Sequence, residues 1–230
     1  MNDYVKRLRR LDACAVSDAL DKLGLEGAVS GLAQYSGNAS IAGKVMTFRM
    51  VAQAEAAPPS GAPRHLGTTA IELAESGDVL VAEQRTGLEA ACWGGILTLG
   101  AKLKGLAGVI AEGLVRDIDE AITYEFPIFA RGVTARTARG RIAEAETGGT
   151  IHVGQIRVRA GDYVVADRSG VVFVSAAKVA EVLEVAETIF LREAAMAKAL
   201  LNGDHIIDVM GASYEHMLHS SSGKNAKVKE

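Results

Sequence analysis

Two short segments hold the residues best suited to chemistry. They are Trp93-Gly94-Gly95-Ile96-Leu97 and, further along, Gly113-Leu-Val-Arg116-Asp117-Ile-Asp-Glu120. Two glycines at the start of a helix let free backbone N–H groups approach an anion closely. The arginine supplies a planar fork that matches a carboxylate or an enolate oxygen. Asp117, with Glu120 three positions on, supplies the hard oxygen ligands that Mg²⁺ or Mn²⁺ takes. Together these groups suit an anionic, metal-chelating small molecule. Ordinary structural roles compete with this reading: glycines for close helix–strand packing, Arg116 in a surface ion pair, and Asp117 or Asp119 as the cap of a following helix.

Other candidates are weaker. Gly95-x-x-x-x-Gly100-Ala101-Lys102 falls one residue short of a phosphate-binding loop, and no Ser or Thr follows the lysine to hold a metal. No G-x-G-x-x-G follows a strand, so the dinucleotide fingerprint is absent. His216 and His219, beside Glu215, have metal-ligand spacing but no third ligand in view, and a solvated tail is the better reading. His65 follows a Pro-rich loop and is a candidate to line a site, although a single histidine is more often structural or exposed. His152 lies in a strand pattern. Cys92 adjoins the glycine pair without a partner base and reads as a small buried thiol.

The elements that must position these residues follow from periodicity. Asp12 to Leu23 carries Val16, Leu20 and Leu23 at helical spacing, with Ser17 expected as cap and Gly24 as stop. Gly43 to Val51 alternates as a strand. Ala56 to Pro63 is a Pro/Gly-dense surface loop, followed by a helix through Ile71 and Leu73. Asp78 to Glu83 is a short buried strand, Ala91 to Lys104 a helix interrupted at Gly94-Gly95, and Gly108 to Gly113 the next strand. That alternation predicts a parallel pair with a helical crossover, with Arg116-Asp117 just past a strand end where ligands collect. Pro127 to Val133 reads as another strand, and Thr150 to Val174 as several short antiparallel ones punctuated by glycines. Ser175 is the expected cap of a long helix whose apolar stripe runs from Val179 to Leu201 and ends near Gly203. The stripe is broad enough to suggest packing on another subunit.

The chain has 230 residues, 49% of them apolar and 23% charged, which excludes wholesale disorder and fits one large α/β domain with a terminal extension. We expect residues 1–205 to form that domain and residues 206–230 an extension with frayed last residues. The net charge of −3 and the 5% aromatic content disfavour nucleic acid as a partner. Two cysteines make neither a disulfide framework nor a thiolate zinc site. The N-terminal residues lack the apolar core of a signal peptide and no run is long enough to span a membrane, so a cytoplasmic location is expected.

Five segments occur in a characteristic order: Trp93 to Leu97, Gly105 to Ile110, Gly113 to Glu120, Phe126 to Gly132, and Gly161-Asp-Tyr-Val-Val-Ala-Asp-Arg-Ser-Gly-Val-Val-Phe173. In this the chain resembles the RraA-like family, which includes class II pyruvate aldolases such as 4-hydroxy-4-methyl-2-oxoglutarate aldolase. Members of this family are often mislabelled demethylmenaquinone methyltransferases. The resemblance covers about residues 12–205. It implies an α/β fold of the β/β/α swivelling-domain (phosphohistidine-domain-like) type, a sandwich with flanking helices. It also implies a homotrimer or a hexamer made of two trimers, with sites between subunits. By the same resemblance, backbone amides of Gly94, Gly95, Ile96 and Leu97 bind the substrate carboxylate, Arg116 contacts the keto or enolate oxygen, and Asp117 holds a divalent metal, Mg²⁺ or Mn²⁺.

One departure stands out. Well-known aldolase members carry an acidic residue where this chain has Gly95, and Glu120 is the expected replacement. Glu83-Gln-Arg-Thr86 also replaces a glycine-rich run. The expected function is a metal-dependent carbon–carbon lyase that cleaves 4-hydroxy-2-oxo acids to pyruvate, with oxaloacetate decarboxylation as a related activity. Arg116, Asp117 and Glu120 are the expected catalytic residues, with Asp117 and Glu120 on the metal. Water on that metal is the expected proton carrier, because the sequence places no histidine or lysine there. The alternative is a non-catalytic regulator of the ribonuclease E inhibitor type, against which Asp117 weighs.

Overall fold

Apolar runs such as Val79-Leu-Val-Ala82 and Gly108-Val-Ile-Ala111 are buried on both faces, as strands at the centre of a layered α/β protein must be. The computed structural model describes residues 3–57 and 64–211. The chain begins with α1 (Asp3–Leu8) and α2 (Ala13–Lys22), then β1 (Ala28–Val29), β2 (Ala33–Ser36) and the long β3 (Ile41–Ala52). Next come α3 (Thr68–Leu73), β4 (Val79–Glu83), β5 (Ala91–Trp93), α4 (Gly95–Leu103), β6 (Gly108–Val115), α5 (Ile118–Thr123) and β7 (Ile128–Val133). The last part holds β8 (Ile142–Thr147), β9 (Thr150–Val153), β10 (Ile156–Arg159), β11 (Tyr163–Ala166), β12 (Val171–Val174), α6 (Val179–Leu201) and α7 (Ile206–Val209).

One sheet runs in the order β1-β12-β11-β3-β4-β6-β7-β2, with β5 added to β6 and β8 to β3; β9 and β10 form a separate hairpin. Its middle, β3-β4-β6-β7, is parallel, and the outer pairs are antiparallel. The expected mixed α/β architecture, a curled sheet with flanking helices, is therefore present. Alternate side chains sort into two layers. Val79, Val81 and Ile110 face inward to meet Ile151, Val164 and Phe173 from the curled sheet and the hairpin. Leu80, Ala82 and Ala111 face Ile71, Leu97 and Ala121 on α3, α4 and α5. A third cluster packs α1, α2 and α6 on β11 and β12 through Val16, Leu20, Val165, Val174 and Leu183.

Several local expectations are corrected. Asp12 caps α2, its carboxylate accepting from Ala15 N–H at 2.8 Å, so Ser17 lies within the helix. α6 starts after Lys178, because Ser175 makes a tight turn in which its carbonyl accepts from Lys178 N–H at 2.9 Å. Ala91–Trp93 is a buried strand paired parallel to β6, not the first turn of a helix. Short apolar runs do not distinguish the two states, and the free edge of β6 decides. β8, beside β3, was not expected at all. His216, His219, Glu215 and most of the Pro-rich loop lie outside the described residues.

Candidate functional site

β5 and β6 end side by side, tied by Arg116 N–H donating to Trp93 O at 3.0 Å. The chain leaves β5 into α4 and β6 into α5, so two helix N-termini meet at one sheet edge, where α/β folds gather ligands. A hydrogen-bond chain sets the start of α4: the Trp93 indole donates to Thr98 Oγ1 at 2.8 Å, and that hydroxyl donates to Gly94 O at 3.0 Å. Gly95 N–H is used by Asp117, whereas the N–H groups of Ile96 and Leu97 have no acceptor among the described residues.

Asp117 takes the left-handed conformation, φ 59° and ψ 42°, which is uncommon for a residue with a side chain and concentrates at functional sites. It occupies the cap position of α5, but its carboxylate makes no cap bond there. Instead Oδ2 accepts from Gly95 N–H at 2.9 Å and from Arg116 Nε at 3.1 Å. Oδ1 has no partner among the described residues. A Cβ on Gly94 would lie 2.8 Å from Asp117 Oδ2, so glycine is what lets α4 and the Arg-Asp pair approach this closely. The two terminal nitrogens of Arg116 have no protein acceptor among the described residues.

These groups line an open cleft of about 130 Å³ together with His65, Leu66, Ala91, Trp93, Thr137 and Ala138. Of the sequence candidates, Gly94, Gly95, Ile96, Leu97, Arg116 and Asp117 all line it. Glu120 does not line it directly. Its carboxylate lies in the space a Gly95 side chain would take, since a Cβ there would overlap it. The acidic group absent from position 95 is thus supplied from α5. Cys92 is fully buried, its thiol donates to Leu114 O, and burial pushes its pKa up to about 12, as befits a small buried thiol. His65, a candidate to line a site in the sequence, belongs to the cleft. Its one signal was a titratable residue after a Pro-rich loop. Thr137 and Ala138 gave no signal in the sequence.

Asp117 Oδ1 and the Glu120 carboxylate are hard donors, and no group of three or more His, Cys, Asp or Glu that could hold a metal occurs among the described residues. Two carboxylates, with water and a chelating substrate completing the shell, suit Mg²⁺ or Mn²⁺ rather than zinc.

A family model described as RraA-like, Aldolase/RraA, matches residues 13–173. The chain belongs to the RraA-like family. A relative from Halalkalibacterium halodurans, provisionally named 4-hydroxy-4-methyl-2-oxoglutarate aldolase, is 28% identical over 224 residues, 95% of this chain and 97% of its own. Protein DlpA of Legionella pneumophila is 23% identical over 203 residues, 88% of this chain, which spans only 32% of that longer protein. Among solved structures, an uncharacterized protein from Pseudomonas syringae pv. tomato superposes with a TM-score of 0.79 at 26% identity, covering 90% of this chain and 96% of its own. Streptomyces coelicolor RraAS2, described as an unusual member of the RNase ES inhibitor RraA family, gives 0.72 at 24% identity, covering 82% and 92%, and shares the fold. Among the described residues no helix is long and apolar enough to cross a membrane.

Proposed function

We propose that this chain is a divalent-metal-dependent carbon–carbon lyase that cleaves 4-hydroxy-2-oxo acids to pyruvate and also decarboxylates oxaloacetate. One observation carries the reading: unpaired donors of Arg116 and α4 converge on a cleft beside an aspartate with one oxygen left open. The aldolase name of the full-length relative supports the reaction class. The cleft volume, well below the roughly 300–1,000 Å³ of larger ligand sites, supports a substrate of a few carbons.

The free N–H groups of Ile96 and Leu97 receive the substrate carboxylate at the positive end of α4. Arg116 directs its terminal nitrogens to the 2-oxo oxygen, where negative charge grows as the C3–C4 bond breaks and the enolate forms. Asp117 holds that guanidinium through Nε, so the fork is oriented before substrate arrives. Asp117 and Glu120 would hold the cation, which supplies Lewis-acid polarisation of the chelating carboxylate and 2-oxo oxygens.

Assembly into trimers or hexamers belongs to the same proposal. Leu191, Leu201 and Ile207 on α6 and α7, and Ile96 and Leu103 on α4, expose large apolar side chains of the kind subunit contacts cover.

The test is pyruvate release from a panel of 4-hydroxy-2-oxo acids and from oxaloacetate, with Mg²⁺ or Mn²⁺ and in excess EDTA. Release that depends on metal is expected. Full activity in EDTA, with borohydride trapping a substrate on a lysine, would overturn it. Ribonuclease binding without any turnover would favour the regulatory alternative.

A further inference from the structure

We infer that His65, in place of the water expected from the sequence, is the proton carrier of the proposed cleavage, an assignment that rests on the lyase reading above. His65 lines the same cleft as Arg116 and Asp117. The other groups there are poorly suited to moving a proton. Arg116 does not release one, the Trp93 indole is engaged with Thr98, and Asp117 has Oδ2 committed to two donors, while its Oδ1 would hold the cation. Imidazole is the side chain whose ordinary proton exchange lies near neutrality.

The local geometry selects its tautomer. Nδ1 lies 3.0 Å from Leu66 O, an acceptor only, so Nδ1 carries the hydrogen and Nε2 keeps a lone pair. The backbone at His65 and just after it is held. Thr68 Oγ1 donates to His65 O at 2.6 Å, and Gly67 N–H donates to a Glu144 carboxylate oxygen at 2.5 Å. Gly67 has φ +76°, and a Cβ there would meet Leu97 and Trp93 side-chain atoms at 3.4 Å, so the loop is seated directly on the cleft wall. Glu144, on β8, is thereby a positioning residue for His65.

The proton balance closes without a further reactant. Nε2 takes the C4 hydroxyl proton as the C3–C4 bond breaks; C4 becomes the carbonyl of the leaving fragment, and the bond electrons pass to the C2 oxygen as the enolate. The imidazolium returns the proton to C3, and the enolate collapses to the 2-oxo group of pyruvate. Oxaloacetate needs only the second half, because carbon dioxide leaves C3 with no hydroxyl to deprotonate, and the proton that C3 gains is drawn from solvent water.

That difference gives the test. His65→Asn keeps a donor near Leu66 O and removes Nε2. Aldol cleavage should fall on the order of 10²-fold or more, the range for losing a general base. Exchange of pyruvate C3 protons with deuterium oxide, followed by NMR, should fall in parallel. Oxaloacetate decarboxylation should fall far less, within about tenfold, and imidazole added to His65→Ala should restore part of the cleavage. An equal loss of both reactions without rescue would show a binding or structural role and overturn the assignment, as would unchanged cleavage. A parent protein that turned over neither substrate would overturn the lyase reading, and this inference with it.

Discussion

Replacing Arg116 by lysine separates charge from geometry. Arg116 divides its donors: Nε holds Asp117 Oδ2 at 3.1 Å, and the two terminal nitrogens remain for the substrate oxygen. Lysine brings one ammonium to both tasks. Turned to Asp117, it leaves the developing enolate without that donor; turned to the substrate, it releases one of the two bonds that aim the aspartate. The fold should be indifferent, because the Arg116 side chain is 39% exposed, such ion pairs contribute about 1 kcal/mol or less, and the backbone bond to Trp93 O is retained. The transition state should not be. Loss of one preorganised donor to an oxyanion costs about 2.7–4 kcal/mol, or roughly 10²–10³ in kcat. KM should change less than kcat, since the affected charge is largest in the transition state. Steady-state pyruvate release at saturating metal, with metal binding by calorimetry as control, measures this. Turnover of Arg116→Lys within about threefold of the parent, far below that range, would refute enolate stabilisation by Arg116.

Asp117→Asn can still offer an amide oxygen to Gly95 N–H and Arg116 Nε while placing an amide where Oδ1 was open. Its melting temperature should change little, but metal affinity should fall by more than the roughly 10–100-fold seen for losing a group that merely orients a ligand; unchanged affinity in calorimetry would remove Asp117 from the metal. Isolated monomers should be inactive, and sedimentation that finds an active monomer at assay concentration would reject the shared-site assembly. Arg7 grips Glu187 with bonds of 2.7 and 2.8 Å between α1 and α6, and that hydrogen-bonded pairing lowers the Glu187 carboxyl below its ordinary value near 4.5. A lowered carboxyl contributes stability above its unfolded value and loses it as pH falls through the folded one. Glu187→Gln should therefore cost about 0.5–1 kcal/mol near pH 7, discounted for its exposure, and the gap to the parent should close in urea melts as pH falls below the ordinary carboxyl range. A gap that widened in acid would show that the pair is not the cause.

The parallel pairing of β4 with β6 and the placement of Arg116-Asp117 beyond β6 were legible because buried strands and their glycine ends are local patterns. The family, too, could be read in the order of separated motifs, and the family match over residues 13–173 bears it out. Tertiary context reversed the local reading at Ala91–Trp93, where the unpaired edge of β6 turned an apolar run into a strand. At α2 the expected cap, Ser17, lies inside the helix, and Asp12 caps instead because its carboxylate reaches Ala15 N–H from outside it.

The site divides the same way. Residue types and spacing nominated the α4 start, Arg116, Asp117 and Glu120, since glycines, a guanidinium and carboxylates advertise their chemistry one residue at a time. Only the fold decided that Asp117 spends Oδ2 on Gly95 and Arg116 and keeps Oδ1 open, that Glu120 fills the space beside Gly95, and that His65 shares the cleft. Those facts depend on a left-handed backbone at one residue and on contacts between segments tens of positions apart. Periodicity reports the neighbours of a residue along the chain, whereas a site is made by neighbours across it.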